Sequence, residues 1–153
     1  MKIEIYSRKV AEGLIRKGFP KRTAVISFYT PKNVRCEAEN PLDYSEVCDN
    51  VLYVGIPDID IEVLGNFGYS FESYLSEAGE LASFIYRAKQ GGHSIICQCD
   101  YGQSRSAACA AAILQHFEGR GIEIFADYRY YPNQLVYNKV FTALEEFKSK
   151  NDK

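Results

Sequence analysis

Two hydrophobic periods alternate along the chain. Lys2 to Tyr6 alternates with period two and predicts a short edge strand. Ser7 is placed to cap a helix from Arg8 to about Lys17, with Val10 and Leu14 turned inward and Gly18 as its stop. Thr23 to Tyr29 is apolar almost throughout and predicts a buried strand, ended by Pro31. The pattern then fails over residues 31–50. A structureless loop of that length is unusual, so a short element is expected around Tyr44 to Cys48. Val51 to Ile56 predicts the next strand, closed by Pro57.

From Ser70 the period changes. Phe71, Tyr74, Leu75, Ala78, Leu81, Ala82, Ile85 and Ala88 recur at three- and four-residue steps, which predicts a helix ending at Gly91-Gly92. Ser94 to Gln98 predicts a central strand. A helix from Ser104 to about Phe117 is apolar nearly all round and is expected to be buried, with Gly119 and Gly121 breaking it. A last helix starts at Asn133, with Val136, Val140, Ala143, Leu144 and Phe147 on one face. Strands alternating with helices predict an α/β fold: a central, mostly parallel sheet with helices on both faces, in a single domain over residues 1–153. Such sheets bind ligands beyond the carboxyl ends of their strands.

Composition narrows the function classes. Hydrophobic residues make up 46% and charged residues 25%, values of a soluble globular domain. A net charge of −2 leaves no electrostatic footprint for nucleic acid or a membrane surface. No apolar run approaches twenty residues, so no membrane span is expected. The start, Met1-Lys2-Ile3-Glu4-Ile5, lacks the apolar core of a secretory leader. The five cysteines, at 36, 48, 97, 99 and 109, form no dense disulfide framework, and a cytoplasmic, monomeric protein is expected. Cys97-Gln98-Cys99 has no second ligand pair at finger-like spacing, and His93 and His116 stand alone as surface or helix-end residues. Neither zinc nor another cofactor is expected.

Chemistry concentrates after the central strand, in Cys99-Asp100-Tyr101-Gly102-Gln103-Ser104-Arg105-Ser106. A thiolate is the nucleophilic form of cysteine, and both a helix N-terminus and an arginine favour it. The backbone N–H groups of Asp100, Tyr101, Gly102, Gln103, Ser104 and Arg105 are placed to curl around phosphate oxygens, with Gly102 permitting the curvature. Arg105 adds a planar fork for two more oxygens. Ser106 is placed to hydrogen-bond the sulfur. Attack by Cys99 on a phosphate monoester would give a cysteinyl-phosphate, and the leaving oxygen would need a proton from a nearby acid. A bare cysteine and arginine six apart is a weak signal. The strand before, the glycine within, the hydroxyl after and the buried helix beyond make it specific.

At these residues the chain resembles the cysteine-dependent protein tyrosine phosphatases, most of all their small dual-specificity branch. Cys99 through Ser106 meets the signature Cys-x5-Arg-Ser/Thr. The order of Ile56-Pro57-Asp58-Ile59-Asp60, an amphipathic helix, Gly91-Gly92, the nucleophile strand, its helix and Tyr131-Pro132-Asn133 also fits. The resemblance spans about residues 23–147 and is strong at 94–117. It implies an α/β sandwich and metal-free hydrolysis with Cys99 as nucleophile and Arg105 as phosphate ligand. It points to Asp60 as general acid, with Asp58 as runner-up and Glu62 third. The family usually carries histidine before the nucleophile. Gln98 stands here and brings no charge, so a slower enzyme with less thiolate character is expected.

The loop positions that carry basic residues in phosphoinositide-specific members hold Asp100, Tyr101, Gln103 and Ser104 here, which disfavours a highly anionic lipid headgroup. A phosphotyrosine-containing protein or a small phosphomonoester suits the loop better, with Tyr101, Phe28 and Tyr29 weighed as aryl walls against plain packing roles. Asn133 is expected to cap its helix, and Asn133 or Gln134 to orient water. Arg129 is a candidate second anion contact. Cys97, Cys36 and Cys48 are weighed as redox partners of Cys99 against structural thiols. Two other functions stay open: a catalytically silent phosphate-binding module, which Gln98 keeps in play, and a rhodanese-like sulfurtransferase, which would not need an acid after the Val51 strand.

Overall fold

Every strand pairing is parallel, and the strands run β1, β4, β2, β3 across one sheet. The computed structural model describes residues 1–32 and 38–152. The strands are β1 (Ile3–Tyr6), β2 (Thr23–Tyr29), β3 (Val51–Gly55) and β4 (Ser94–Gln98). The helices are α1 (Arg8–Lys17), α2 (Ala78–Gln90), α3 (Arg105–Glu118), α4 (Ile122–Phe125) and α5 (Gln134–Asn151). β1 lies at an edge. β4 is central, with Cys97 opposite Ile5 on one side and Ile26 on the other. No helix among the described residues is long and apolar enough to cross a membrane.

Strand alternation sorts the two faces. Ala24, Ile26 and Phe28 of β2, with Ile95, Cys97 and Cys99, join the larger core formed with α2, α3 and α5. Val25 and Ile96 face the other way and pack with Ala11 of α1, Leu42 and Tyr44. Five alanines of α3, at 107, 108, 110, 111 and 112, are fully buried, which lets the helix lie close to its neighbours. β4 therefore turns Cys97 toward the α3 face and Gln98 toward the α1 face, and Cys99 just past its end joins the α3 side.

Three elements differ from the sequence expectation. In α1 the inward residues are Ala11, with Leu14 and Ile15 partly covered, while Val10 is exposed. The methyl of Ala11 allows close approach to the sheet, and the larger Val10 falls on the outer side. The helix expected from Ser70 begins only at Ala78. Ser70 and Ser73 exchange hydrogen bonds in a turn, the Tyr74 hydroxyl donates to the Pro57 carbonyl at 2.8 Å, and Leu75 sits in the left-handed region at φ 52°. That conformation costs about 1–2 kcal/mol for an L-residue. It is held by the full burial of Tyr74 and Leu75 on either side of the break. The element expected at Tyr44 to Cys48 is a turn in which Val47 and Cys48 N–H donate to the Tyr44 carbonyl.

His116 is also not a surface residue. Its side chain is buried between the Tyr86 hydroxyl and the Glu145 carboxylate, beside Phe117 and Phe141, and ties α2, α3 and α5 together.

Candidate active site

β4 ends at Gln98 and α3 begins at Arg105, so the loop between them lies at the carboxyl edge of the sheet. The Cys99 N–H still donates to the Tyr6 carbonyl, and the Asp100 carbonyl accepts from Arg8 N–H at 2.9 Å. β1 and the start of α1 thus clamp the loop from one side. Gly102 is required there. It sits at φ 68°, and a Cβ would meet Ser7 N at 2.6 Å and Tyr6 C at 2.8 Å. From the other side, Tyr131 N–H donates to the Gln103 carbonyl and Asn133 N–H to the Ser104 carbonyl.

Among the described residues, no backbone N–H from Asp100 to Arg105 reaches a protein acceptor. Cys99 is buried, with Sγ 3.1 Å from Ser106 Oγ. Arg105 is 4% exposed. Its Nη1 donates to Thr30 Oγ1 at 3.0 Å and to the Ile56 carbonyl at 2.8 Å, and its Nη2 lies 3.3 Å from Glu39 Oε1. Its Nε is buried and donates to no described group. Buried donors are rarely left unserved, so the Arg105 Nε is a candidate ligand for an anion.

Glu39 escaped the sequence reading. It accepts from both the N–H and the hydroxyl of Thr30, which itself accepts from Arg105, so it fixes the guanidinium through two routes. No sequence signal marks it, because it lies in the patternless stretch and meets Arg105 only through the fold. Tyr44 is a second such residue. It and Ser27 donate to Gln98 Oε1, at 2.8 and 2.6 Å. Gln98 is thereby fixed from beneath the loop without a charge, and burial pushes the Tyr44 phenol well above its ordinary titration range.

The acid candidates divide. Asp58 Oδ1 accepts from Ser104 Oγ at 2.7 Å and from Asn133 Nδ2 at 2.8 Å, which ties it to the loop itself. Asp60 caps a 3₁₀ helix over Ile61–Phe67 by accepting from Glu62 N–H. It has no bond to the loop. Both line one cleft of about 500 Å³ with Glu62, Phe71, Ser104 and Asn133. Asn133 caps α5 through Val136 N–H and also donates to the Ile59 carbonyl, so it performs the expected capping while holding Asp58. Gln134 lines the same cleft.

Other candidates lie elsewhere. Tyr101 is 78% exposed and faces a separate hollow with Arg8 and Lys9, and Phe28 is core, so neither walls this cleft. Tyr29 lies over Gly55. Arg129 is paired with Asp127 at 2.7 Å. Cys48 donates to the Thr23 carbonyl, at the opposite end of the sheet from Cys99. Cys36 lies outside the described residues. Cys97 and Cys99 are both buried free thiols on the side of the larger core. A hydrogen bond with Cys109, together with full burial, pushes the Cys97 thiol up and keeps it protonated. Among the described residues, no group of three or more His, Cys, Asp or Glu side chains is arranged to hold a metal ion.

No protein-family model matches the chain, and no curated protein matches it in sequence. Solved structures do match. Human DUSP28 superposes with a TM-score of 0.57 at 17% identity, over 97% of this chain and 94% of that one. PTPMT1, in complex with PI(5)P, gives a TM-score of 0.57 at 11% identity, over 98% and 94%. Tk-PTP gives 0.52 at 16% identity, over 97% and 93%. With its parallel sheet, its cysteine loop at a strand end and the buried helix that follows, the chain has the fold of the protein tyrosine phosphatases of dual-specificity type.

Proposed function

We propose that the chain hydrolyses phosphate monoesters as a protein tyrosine or dual-specificity phosphatase, through a cysteinyl-phosphate intermediate. One observation carries this reading: beside a buried cysteine, the loop N–H groups from Asp100 to Arg105 and the Arg105 Nε have no acceptor among the described residues. They would bind the phosphoryl oxygens. The Cys99 thiolate then attacks phosphorus, and the S–P bond forms as the P–O bond to the leaving group breaks. We assign the proton for that oxygen to Asp58 rather than Asp60, because Ser104 and Asn133 hold Asp58 against the loop. Water then attacks phosphorus, the same carboxylate takes its proton, and the thiolate leaves with Ser106 hydrogen-bonded to it. The products are an alcohol or phenol and inorganic phosphate.

With Asp100 in the loop and no lysine, the site suits phosphotyrosine better than a polyanionic headgroup. The test is turnover of para-nitrophenyl phosphate and a phosphotyrosine peptide in the presence of chelator. The wild type is expected to turn over both, and Cys99→Ser neither, while still binding the peptide. Turnover surviving in Cys99→Ser would refute the mechanism. A wild type that binds the phosphopeptide without hydrolysing it would establish the silent module instead.

A further inference from the structure

The cleft beside the loop has one electrostatic sign. Asp58, Asp60 and Glu62 line it, and among the described residues its remaining polar lining is neutral: Ser104, Asn133, Gln134 and Asn138. Lys139 donates to the Phe71 carbonyl at 2.8 Å and lies over the Phe71 ring at 4.8 Å, so it is turned onto the rim. The hollow on the other flank of the loop is mixed, with Arg8 and Lys9 against Glu12 and Asp100. The two flanks therefore present different potentials to whatever is attached to a bound phosphate.

Ser104 joins the cleft to the anion cradle. It lines the cleft, its hydroxyl meets Asp58, and it immediately precedes Arg105, whose buried Nε is unserved. A phosphate held by the cradle places its leaving group into this acidic space. About 500 Å³ exceeds what one phenyl ring fills, and Ile61 and Phe71, 62% and 45% exposed, leave the entrance open and apolar. An extended peptide carrying more than the phosphorylated side chain fits that opening.

Resting on the phosphatase reading, we infer that the enzyme selects phosphotyrosine peptides with lysine or arginine beside the phosphotyrosine, whose cation enters the cleft beside Asp60 and Glu62. Attraction of this kind acts chiefly on capture and discrimination, and salt weakens it.

The experiment compares kcat/KM for two phosphotyrosine peptides that differ only in flanking lysines or flanking glutamates. Phosphoethanolamine serves as a small cationic ester, and para-nitrophenyl phosphate as a reference for each variant. The expected result is a preference for the lysine peptide of roughly tenfold at low salt, shrinking as salt is raised. Glu62→Lys is expected to reduce or invert the ratio between the peptides, each first divided by that variant's own para-nitrophenyl phosphate turnover. Equal or reversed preference in the wild type would overturn the inference while leaving the phosphatase reading intact. Phosphoethanolamine turned over faster than the lysine peptide would overturn the peptide as occupant. No turnover of para-nitrophenyl phosphate by the wild type would sink the phosphatase reading, and this inference with it.

Discussion

The two walls of the site are held differently. The cradle wall, residues 99–106, is fixed from every direction by backbone or buried side chains: β1 and α1 behind Gly102, Thr30, Ile56 and Glu39 around Arg105, and Ser27 and Tyr44 beneath Gln98. The facing wall, residues 57–77, is a 3₁₀ helix and a run of turns, broken by a left-handed leucine, with Ile61 and Phe71 exposed. Its attachments to the cradle wall include the hydrogen bond from Ser104 to Asp58, with Asn133 as a shared brace. Rigid binding groups suit a phosphate whose shape is constant. A wall built of turns, with Asp58 braced to the loop, would suit a leaving group whose shape varies.

The sharpest way to break that comparison is at the acids. Asp58→Asn is expected to lower kcat for the phosphotyrosine peptide by about 10²–10⁴-fold, the usual worth of a positioned acid. Para-nitrophenyl phosphate, whose leaving group needs little protonation, should lose less. Asp60→Asn is expected to cost under tenfold, since its carboxylate caps a short helix. Steady-state kinetics on both substrates decides it. If Asp60→Asn proves the more damaging, the facing wall must rearrange in the substrate complex and the assignment moves to Asp60.

On the cradle wall the expected effect is on folding as well as activity. Gly102→Ala places a methyl against backbone atoms of Tyr6 and Ser7 and puts alanine at positive φ. The conformation alone costs about 1–2 kcal/mol, and the overlap adds to it because backbone cannot swing aside. Urea unfolding should show the loss, and binding of vanadate or phosphate should weaken in parallel. A variant as stable as the wild type, with phosphate affinity intact, would show that the β1–α1 junction yields, and that the cradle is softer than its hydrogen bonds imply.

The same contrast sets what was readable in the sequence. Cys99, Gly102, Arg105 and Ser106 act within one strand–loop–helix unit, so their spacing carries their geometry. The apolar runs of β2 and β4, the all-round apolar α3 and the one-faced pattern of α5 were legible for the same reason. Glu39 and Tyr44 reach the site from a segment whose local pattern specifies no element, and only the closed sheet brings them to Arg105 and Gln98. The false start of α2 at Ser70 has a related cause. Tyr74 and Leu75 keep helical spacing because both must be buried, yet the Tyr74 hydroxyl bond to Pro57 and the left-handed Leu75 replace the helix there. Burial periodicity reports which residues turn inward, not whether the backbone between them is helical.

The smallest effect sharpens the role of the buried support beneath Gln98. In the folded protein, burial pushes the Tyr44 phenol above its ordinary value of 10.0. Tyr74 is shifted the same way, by burial first and by the charge of Asp58 second. A raised folded pKa means that the stability tied to the protonated phenol is complete below pH 10. It is lost as pH rises from 10 toward the folded value, because the unfolded chain ionises first, at about 1.4 kcal/mol per pH unit for each fully shifted tyrosine. Tyr44→Phe removes one of two donors to Gln98 Oε1 and leaves Ser27 in place, so it should cost about 1 kcal/mol at pH 8. Phenylalanine cannot ionise, so the gap between variant and wild type should close as unfolding is measured from pH 8 to pH 11. A gap that stays constant or widens would mean that the phenol ionises without opposing the fold, and that the region beneath the cradle is wetter and looser than its packing indicates.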